Sequence, residues 1–183
     1  MNPKPDGRLY SRVLRRSVAI FNFIGPNKQF TSRDLAQDIY DQKLPVFLLS
    51  KTNTMISVNR INDYLRFLSV INAFILKDHK LQLAFPLKSN DREWAIKFSD
   101  LAWSYLAKKT KQTNQEFQTD LQTKINALHQ ENRLPMLSEV FSEFDLVGGR
   151  DEEHFRWALY LYTDGENCPF DIRHFPVLTR KGQ

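Results

Sequence analysis

Residues 56–85 constrain the fold more than any other stretch, because they predict a helix followed at once by a β-hairpin. Apolar residues recur there at spacings of three and four, which places them on one helix face. Ser57 precedes this stripe and predicts an N-cap, since its hydroxyl can accept a hydrogen bond from an otherwise unpaired backbone N–H. The apolar face consists of Val58, Ile61, Leu65 and Leu68, and the polar face consists of Asn59, Arg60, Asp63 and Arg66.

The second part of this stretch has the pattern of two strands joined by a polar turn. Residues 71–76 are apolar and β-prone, and residues 77–80 read Lys-Asp-His-Lys. Leu81, Leu83 and Phe85 then alternate with Gln82 and Ala84, and this period of two is typical of a strand. The sequence therefore predicts a hairpin with a cationic tip.

A helix that leads directly into such a hairpin resembles the recognition helix and wing of a winged helix-turn-helix domain. The resemblance is to an architecture and not to one named family. It implies two more helices upstream. The first is predicted over residues 8–24, where Gly25-Pro26 ends it. The second is predicted over 33–41, capped by Thr31 or Ser32, with a short strand at Gln29-Phe30 before it.

The connector over residues 42–56 departs from the plain helix-turn-helix pattern. It is longer than the three or four residues of a compact turn. Residues 45–49 are apolar and predict either an extra helical turn or a strand. The polar run over 50–54 is consistent with phosphate contacts and equally with a solvated loop.

Composition limits the class of protein. The chain has 183 residues, enough for one domain or two small ones, with an ordinary apolar content of 42%. The apolar runs are shorter than the roughly 20 residues that a membrane helix needs, and the first 12 residues lack the apolar core of a signal peptide. Cys168 is the single cysteine, so no intramolecular disulfide is expected. These features predict a cytoplasmic, nucleoid-associated protein.

Charge is distributed unevenly along the chain. Residues 1–90 carry 14 Lys/Arg and 6 Asp/Glu, a net charge of +8, whereas residues 91–183 carry 12 and 15, a net charge of −3. A basic half joined to a slightly acidic half is typical of a polyanion-binding module with a separate partner. Chance variation of surface charge is the alternative explanation.

The second half predicts a helical domain. Helices are expected over 91–109, 114–132 and 136–144, and from Asp151 onward. The second of these has a narrow apolar stripe that can pack in a core or along a two-fold partner. The stripe consists of Phe117, Leu121, Ile125 and Leu128. The fold expected is mainly α: a winged helix-turn-helix domain over residues 1–88 and a helical dimerisation or partner domain over 89–183.

This arrangement predicts sequence-specific binding of double-stranded DNA. Arginine can donate to guanine O6 and N7, and asparagine can pair with adenine. Asp63 is expected to orient Arg60 or Arg66, or to accept from cytosine N4. The expected recognition-helix contacts are Ser57, Asn59, Arg60, Asn62, Asp63 and Arg66. The expected contacts of the hairpin tip to phosphates or the minor groove are Lys77, His79 and Lys80. The expected contacts to the DNA backbone, which position the protein without specifying sequence, are Arg12, Arg15, Arg16 and Arg33. A solvated charged face is the alternative explanation.

Evidence for catalysis is thin. The densest acidic cluster consists of Asp145, Asp151, Glu152 and Glu153 with His154, and acids at a helix start explain it better than a Mg²⁺ site does. The histidines are scattered, and no Gly-rich phosphate loop is present. The sequence therefore predicts a homodimeric transcriptional regulator that is not an enzyme and needs no metal or cofactor, with its effector unknown. A protein-interaction adaptor and a DNA-processing protein, such as a nuclease subunit or replication initiator, stay as alternatives.

Overall fold

The computed structural model describes residues 11–24, 28–86, 91–128, 143–144 and 149–164. Within them the chain is mainly helical, with one two-stranded antiparallel hairpin, as predicted. The predicted helix over 136–144 lies almost entirely outside the described residues. The elements are α1 (Arg12–Phe23), α2 (Ser32–Asp41), a 3₁₀ turn (Pro45–Phe47), α3 (Val58–Val70), β1 (Phe74–Lys77), β2 (Lys80–Leu83), α4 (Asp91–Lys109), α5 (Asn114–Leu128) and α6 (Arg150–Asp164).

The chain divides into two compact units. The N-terminal unit is Arg12–Trp94, and the C-terminal unit consists of Ser11 and the described residues from Ala95 onward. The N-terminal unit includes the first turn of α4, because Trp94 is fully buried there with its ring 4.8 Å from that of Phe21. Trp94 Nε1 also donates to Asn22 Oδ1 at 3.1 Å. The predicted border at residue 88 precedes this tryptophan.

Local capping explains where α2 and α3 begin. The Thr31 hydroxyl accepts a hydrogen bond from the Asp34 N–H, and the Ser57 hydroxyl accepts one from the Arg60 N–H. The predicted N-cap at Ser57 is therefore confirmed. The buried face of α3 is wider than the predicted stripe, because Tyr64 and Phe67 join it. The buried residues of α3 are Ile61, Tyr64, Leu65, Phe67 and Leu68.

The long connector between α2 and α3 is ordered. Pro45–Phe47 forms the 3₁₀ turn, and an antiparallel bridge then joins Leu48 to Met55. Between the bridged residues, the Leu49 N–H donates to the Thr54 carbonyl at 2.8 Å, and Asn53 adopts φ 51°. The connector thus contains both a helical turn and a strand-like bridge, with residues 50–54 exposed at its tip.

The predicted hairpin is confirmed, with strands shorter than the pattern suggested. Leu76 pairs with Leu81 and Lys77 pairs with Lys80, so only Asp78 and His79 form the turn. Both have positive φ (49° and 63°), as a type I′ turn requires. The strand starts three residues later than predicted, because residues 71–73 close α3.

Phe30 adds a third backbone segment beside the hairpin. Its N–H donates to the Leu81 carbonyl at 3.0 Å, and the Leu81 N–H donates back to the Phe30 carbonyl at 2.8 Å. The short strand predicted at Gln29-Phe30 is therefore a single bridge. It fixes the segment before α2 against β2.

Three helices form the described part of the C-terminal unit. Phe117 of α5 and Tyr162 of α6 are fully buried, with ring centroids 5.8 Å apart, and Trp103 of α4 lies 5.7 Å from Tyr162. Lys109 Nζ lies 3.2 Å from Asp151 Oδ2, which links the end of α4 to the start of α6. Of the helices in the described ranges, none is long and apolar enough to cross a membrane.

Candidate nucleic-acid interface

The outer face of α3 presents polar side chains, as the pattern predicts. Asn59 and Arg66 are exposed, and Arg60 and Asp63 are half-buried beside them. Arg60 Nη1 lies 3.4 Å from Asp63 Oδ2, one helical turn apart. Asp63 therefore orients Arg60, which was one of the two roles expected for it.

Asn62 is used within the fold. Its Oδ1 accepts a hydrogen bond from the Ser32 hydroxyl at the start of α2. This bond joins the first turn of α2 to α3. The exposed Arg33 follows Ser32 in the sequence and therefore lies close to α3 as well. The bond links two helices that were both predicted to approach DNA.

Arg16 was predicted to hold a phosphate, and the structure places it inside the N-terminal unit. Only 5% of the residue is exposed. Its Nη1 donates to the Tyr64 hydroxyl at 2.7 Å, and its Nε donates to the Val46 carbonyl at 3.1 Å. The guanidinium carbon lies 5.2 Å from the ring centroid of Tyr64 and 5.3 Å from that of Phe47. Arg16 therefore joins α1, the connector and α3, and its burial leaves no surface for a phosphate.

Arg16 is a buried cation whose hydrogen-bond acceptors are neutral. Burial lowers the pKa of its guanidinium below the ordinary value, and the nearby charges of Arg12 and Arg60 lower this pKa further, while Tyr64 raises it. Guanidinium groups from α1 and α3 share one ring, because the guanidinium carbons of Arg16 and Arg60 lie 5.2 and 5.9 Å from the Tyr64 ring centroid.

Other predicted backbone contacts lie on the surface. Arg12, Arg15 and Arg33 are exposed. Within the described ranges, none of these three forms an ion pair with a carboxylate, and the same holds for Arg66. Their charges are therefore available to an external anion.

The tip of the hairpin is also cationic. Lys77, His79 and Lys80 are all exposed. Lys77 lies directly opposite Lys80 in the register, so two like charges face each other across the strands. Leu76, next to this pair, is 71% exposed.

The stripe predicted for dimerisation is largely used within one copy of the chain. Phe117 and Leu121 are fully buried, and the Phe117 ring stacks on Phe144 at 6.0 Å. Ile125 is half-buried, and the side chain of Leu128 lies outside the described set. Packing within the C-terminal unit was the alternative expected for this stripe, and it accounts for the burial of Phe117 and Leu121. Homodimer formation stays a prediction.

The acidic cluster near residue 151 takes part in helix pairs. Asp151 pairs with Lys109, and Glu152 Oε1 lies 3.3 Å from Arg156 Nη2 one turn later. His154 is buried, and Asp145 lies outside the described residues. In the part of the chain that the structure describes, no three His, Cys, Asp or Glu side chains are grouped so as to hold a metal ion.

Tyr64 and Phe47 are the residues that the sequence did not single out. Tyr64 stands four residues after Arg60, and its ring centroid lies 5.9 Å from the Arg60 guanidinium. That spacing brings side chains together on a helix and was a usable signal. Phe47 lies in the connector and meets Tyr64 only through tertiary folding, with ring centroids 5.9 Å apart. No local pattern could have identified it.

Comparison with known proteins adds no relative. Neither the family models, nor the curated proteins, nor the solved structures provide a match to this chain.

Proposed function

We propose that the N-terminal unit is a winged helix-turn-helix that binds double-stranded DNA with sequence specificity. In this proposal α3 is the recognition helix and the β1–β2 hairpin is the wing. The simplest role for such a reader is transcriptional regulation. Base contacts come from the exposed side chains of α3, whereas arginines of α1 and α2 contact phosphates and set the position.

The observation that carries the proposal is a set of exposed arginines on three helices of the unit: Arg12 and Arg15 of α1, Arg33 of α2 and Arg66 of α3. Within the described ranges none of these four arginines forms an ion pair with a carboxylate, and Arg12 and Arg15 lie one helical turn apart on α1. Like charges held near one another destabilise the free protein, and a polyanion removes this cost on binding. Double-stranded DNA carries about one negative charge per 1.7 Å of helix axis, so it supplies that anion repeatedly.

The order of elements supports the same proposal. A helix, a bridge at Phe30, two more helices and a hairpin follow each other in the chain. The α3 helix buries one face and leaves Asn59 and Arg66 outward on the other. A major groove about 12 Å wide accepts a helix with such a face.

Fluorescence anisotropy of the full chain on mixed duplex DNA, titrated with salt, tests the proposal. We expect the logarithm of the binding constant to fall with the logarithm of salt concentration, by about 0.9 per phosphate neutralised. Arg12→Ala should reduce that slope by about 0.9 and weaken binding equally on all sequences. Arg66→Ala should cost about 1–3 kcal/mol on a selected site and less on mixed DNA.

Lys108→Ala is the matched control, because Lys108 is an exposed cation of the C-terminal unit. We expect it to leave both slope and affinity unchanged. Absence of binding at about 50 mM salt would contradict the proposal and favour a protein-interaction adaptor. Equal losses in Arg66→Ala and Lys108→Ala would mean that net charge, and not α3, determines binding.

A further inference from the structure

The hairpin has two faces of different chemistry. Because side chains alternate along a strand, Phe74 and Leu76 lie on one face with their partners Leu83 and Leu81. This apolar face begins in the core, where Phe74 is 3% exposed, and continues outward to Leu76, which is 71% exposed. Its outer end therefore projects beyond the body of the unit.

The opposite face ends in a pair of lysines. Lys77 and Lys80 are cross-strand partners directly before the turn. Like charges in this arrangement destabilise a hairpin, and neither lysine has an ion-pair partner among the described carboxylates. The outer end of the hairpin thus carries one unfavourable feature on each face, an exposed leucine on one and a repulsive pair of cations on the other.

A single ligand removes both costs. From this geometry we infer that the hairpin tip enters the minor groove of double-stranded DNA, where Leu76 acts as an apolar wedge that bends the duplex. The inference rests on the proposed function and deepens it. Minor-groove proteins insert Leu or Ile beside cationic side chains and kink the DNA by roughly 20–90°.

Charge argues against a second copy of this chain as the occupant. Two copies packed together through Leu76 would leave both Lys77–Lys80 pairs without an anion, because these lysines lie on the opposite face of the hairpin. The sugar–phosphate walls of the groove supply anions for the lysines, while the unstacked base step accepts the leucine. The type I′ turn at Asp78 and His79 holds the two strands in a defined hairpin.

The wedge also predicts a sequence preference without base hydrogen bonds. Pyrimidine–purine steps such as TA unstack more easily than other steps. We expect the full chain to prefer duplexes that carry a TA step where the tip enters. This preference is separate from any readout by α3.

Energy transfer between dyes at the two ends of a roughly 30-base-pair duplex measures the bend, and anisotropy measures affinity on the same DNA. The duplex is the one that the wild-type chain recovers from random sequence. Leu76→Thr keeps a β-prone residue and removes the wedge. We expect it to lose most of the energy-transfer change while affinity falls by no more than about tenfold, since the phosphate contacts remain.

Ile75→Thr is the matched control, because Ile75 is the adjacent exposed residue on the lysine face. It should bend DNA as the wild type does. A wild-type chain that binds DNA without bending it would overturn the wedge and leave the proposed function standing. A wild-type chain that binds no DNA would overturn both.

Two further results would overturn the wedge alone. One is an equal bend with Leu76→Thr and the wild type. The other is a fall in molecular mass by light scattering, without DNA, when Leu76 is replaced, because a second copy would then cover the leucine.

Discussion

At the scale of single residues, two adjacent arginines of α1 have opposite surroundings. Arg15 is exposed, whereas Arg16 lies against the rings of both Phe47 and Tyr64 and donates two hydrogen bonds. Cation–π contacts contribute about 0.5–2 kcal/mol each, and hydrogen bonds from a charged group contribute about 1.5–3 kcal/mol. These gains offset the cost of burying the charge.

Arg16→Ala should therefore lower the free energy of unfolding by about 2–3 kcal/mol. It removes both ring contacts and the hydrogen bonds from the guanidinium to the Tyr64 hydroxyl and the Val46 carbonyl. Arg15→Ala, one position away, should change stability by less than about 0.5 kcal/mol. Urea unfolding followed by circular dichroism measures both. Equal stability of the two variants would show that the buried guanidinium makes no net contribution.

At the scale of elements, several helices end at a residue in the left-handed conformation that is not glycine. Lys43, Asn72 and Lys111 have φ between 51° and 64°. After each, the next N–H bonds back five residues, as from Gln112 to the Ala107 carbonyl at 2.9 Å. This pattern is the Schellman ending, which usually has glycine at this place. The next helix, α5, begins soon afterwards with a capping box between Thr113 and Glu116.

Lys111→Gly should raise the free energy of unfolding by about 0.5–1 kcal/mol, because glycine adopts positive φ without a Cβ clash. Lys108→Gly provides the control. Lys108 lies within α4 and has helical backbone angles, so glycine there should destabilise by about 1 kcal/mol. Chemical denaturation of the full chain measures the free energy of unfolding of both variants. A destabilised Lys111→Gly variant would mean that contacts of the lysine side chain outweigh its backbone strain.

At the scale of the whole molecule, an aromatic cluster determines where the N-terminal unit ends. Phe21 lies at the centre of this cluster, with Phe74, Phe85 and Trp94 around it at centroid distances of 5.1, 5.6 and 4.8 Å. Three of these residues precede the sequence-predicted boundary, and Trp94 follows it. The unit is therefore complete only when the first turn of α4 is present.

A fragment ending at residue 88 should accordingly be less stable than one ending at residue 100. The loss should be about 3–5 kcal/mol, as when a buried tryptophan is removed from a core. Trp94→Ala in the longer fragment should reproduce most of this loss. Thermal unfolding followed by circular dichroism provides the comparison. Equal midpoints for the two fragments would show that Trp94 is not required for the N-terminal core.

Local pattern was sufficient to predict the elements. The three-and-four spacing of Ile61, Leu65 and Leu68 predicted α3 and its buried face, Ser57 predicted its first turn, and alternation predicted the hairpin. These signals act between neighbours in sequence, so they can be recognised without knowing the fold. The ends of α2 and α4 were predicted correctly at residues 41 and 109. The left-handed conformations of Lys43 and Lys111 just after them were not predicted, because glycine is the usual signal for such a position.

DNA binding and homodimer formation stay predictions. The sequence by itself determined a mainly helical chain with a β-hairpin and a polar face on α3. Only the tertiary structure decided which cations are available. Arg15 and Arg16 are identical in type, and adjacent residues on a helix point about 100° apart. Which of them faces the core depends on Phe47 and Tyr64, which are distant in sequence. The exposure of Leu76 is also decided by the tertiary structure, because the core ends at Phe74 and strand alternation does not show where a core ends.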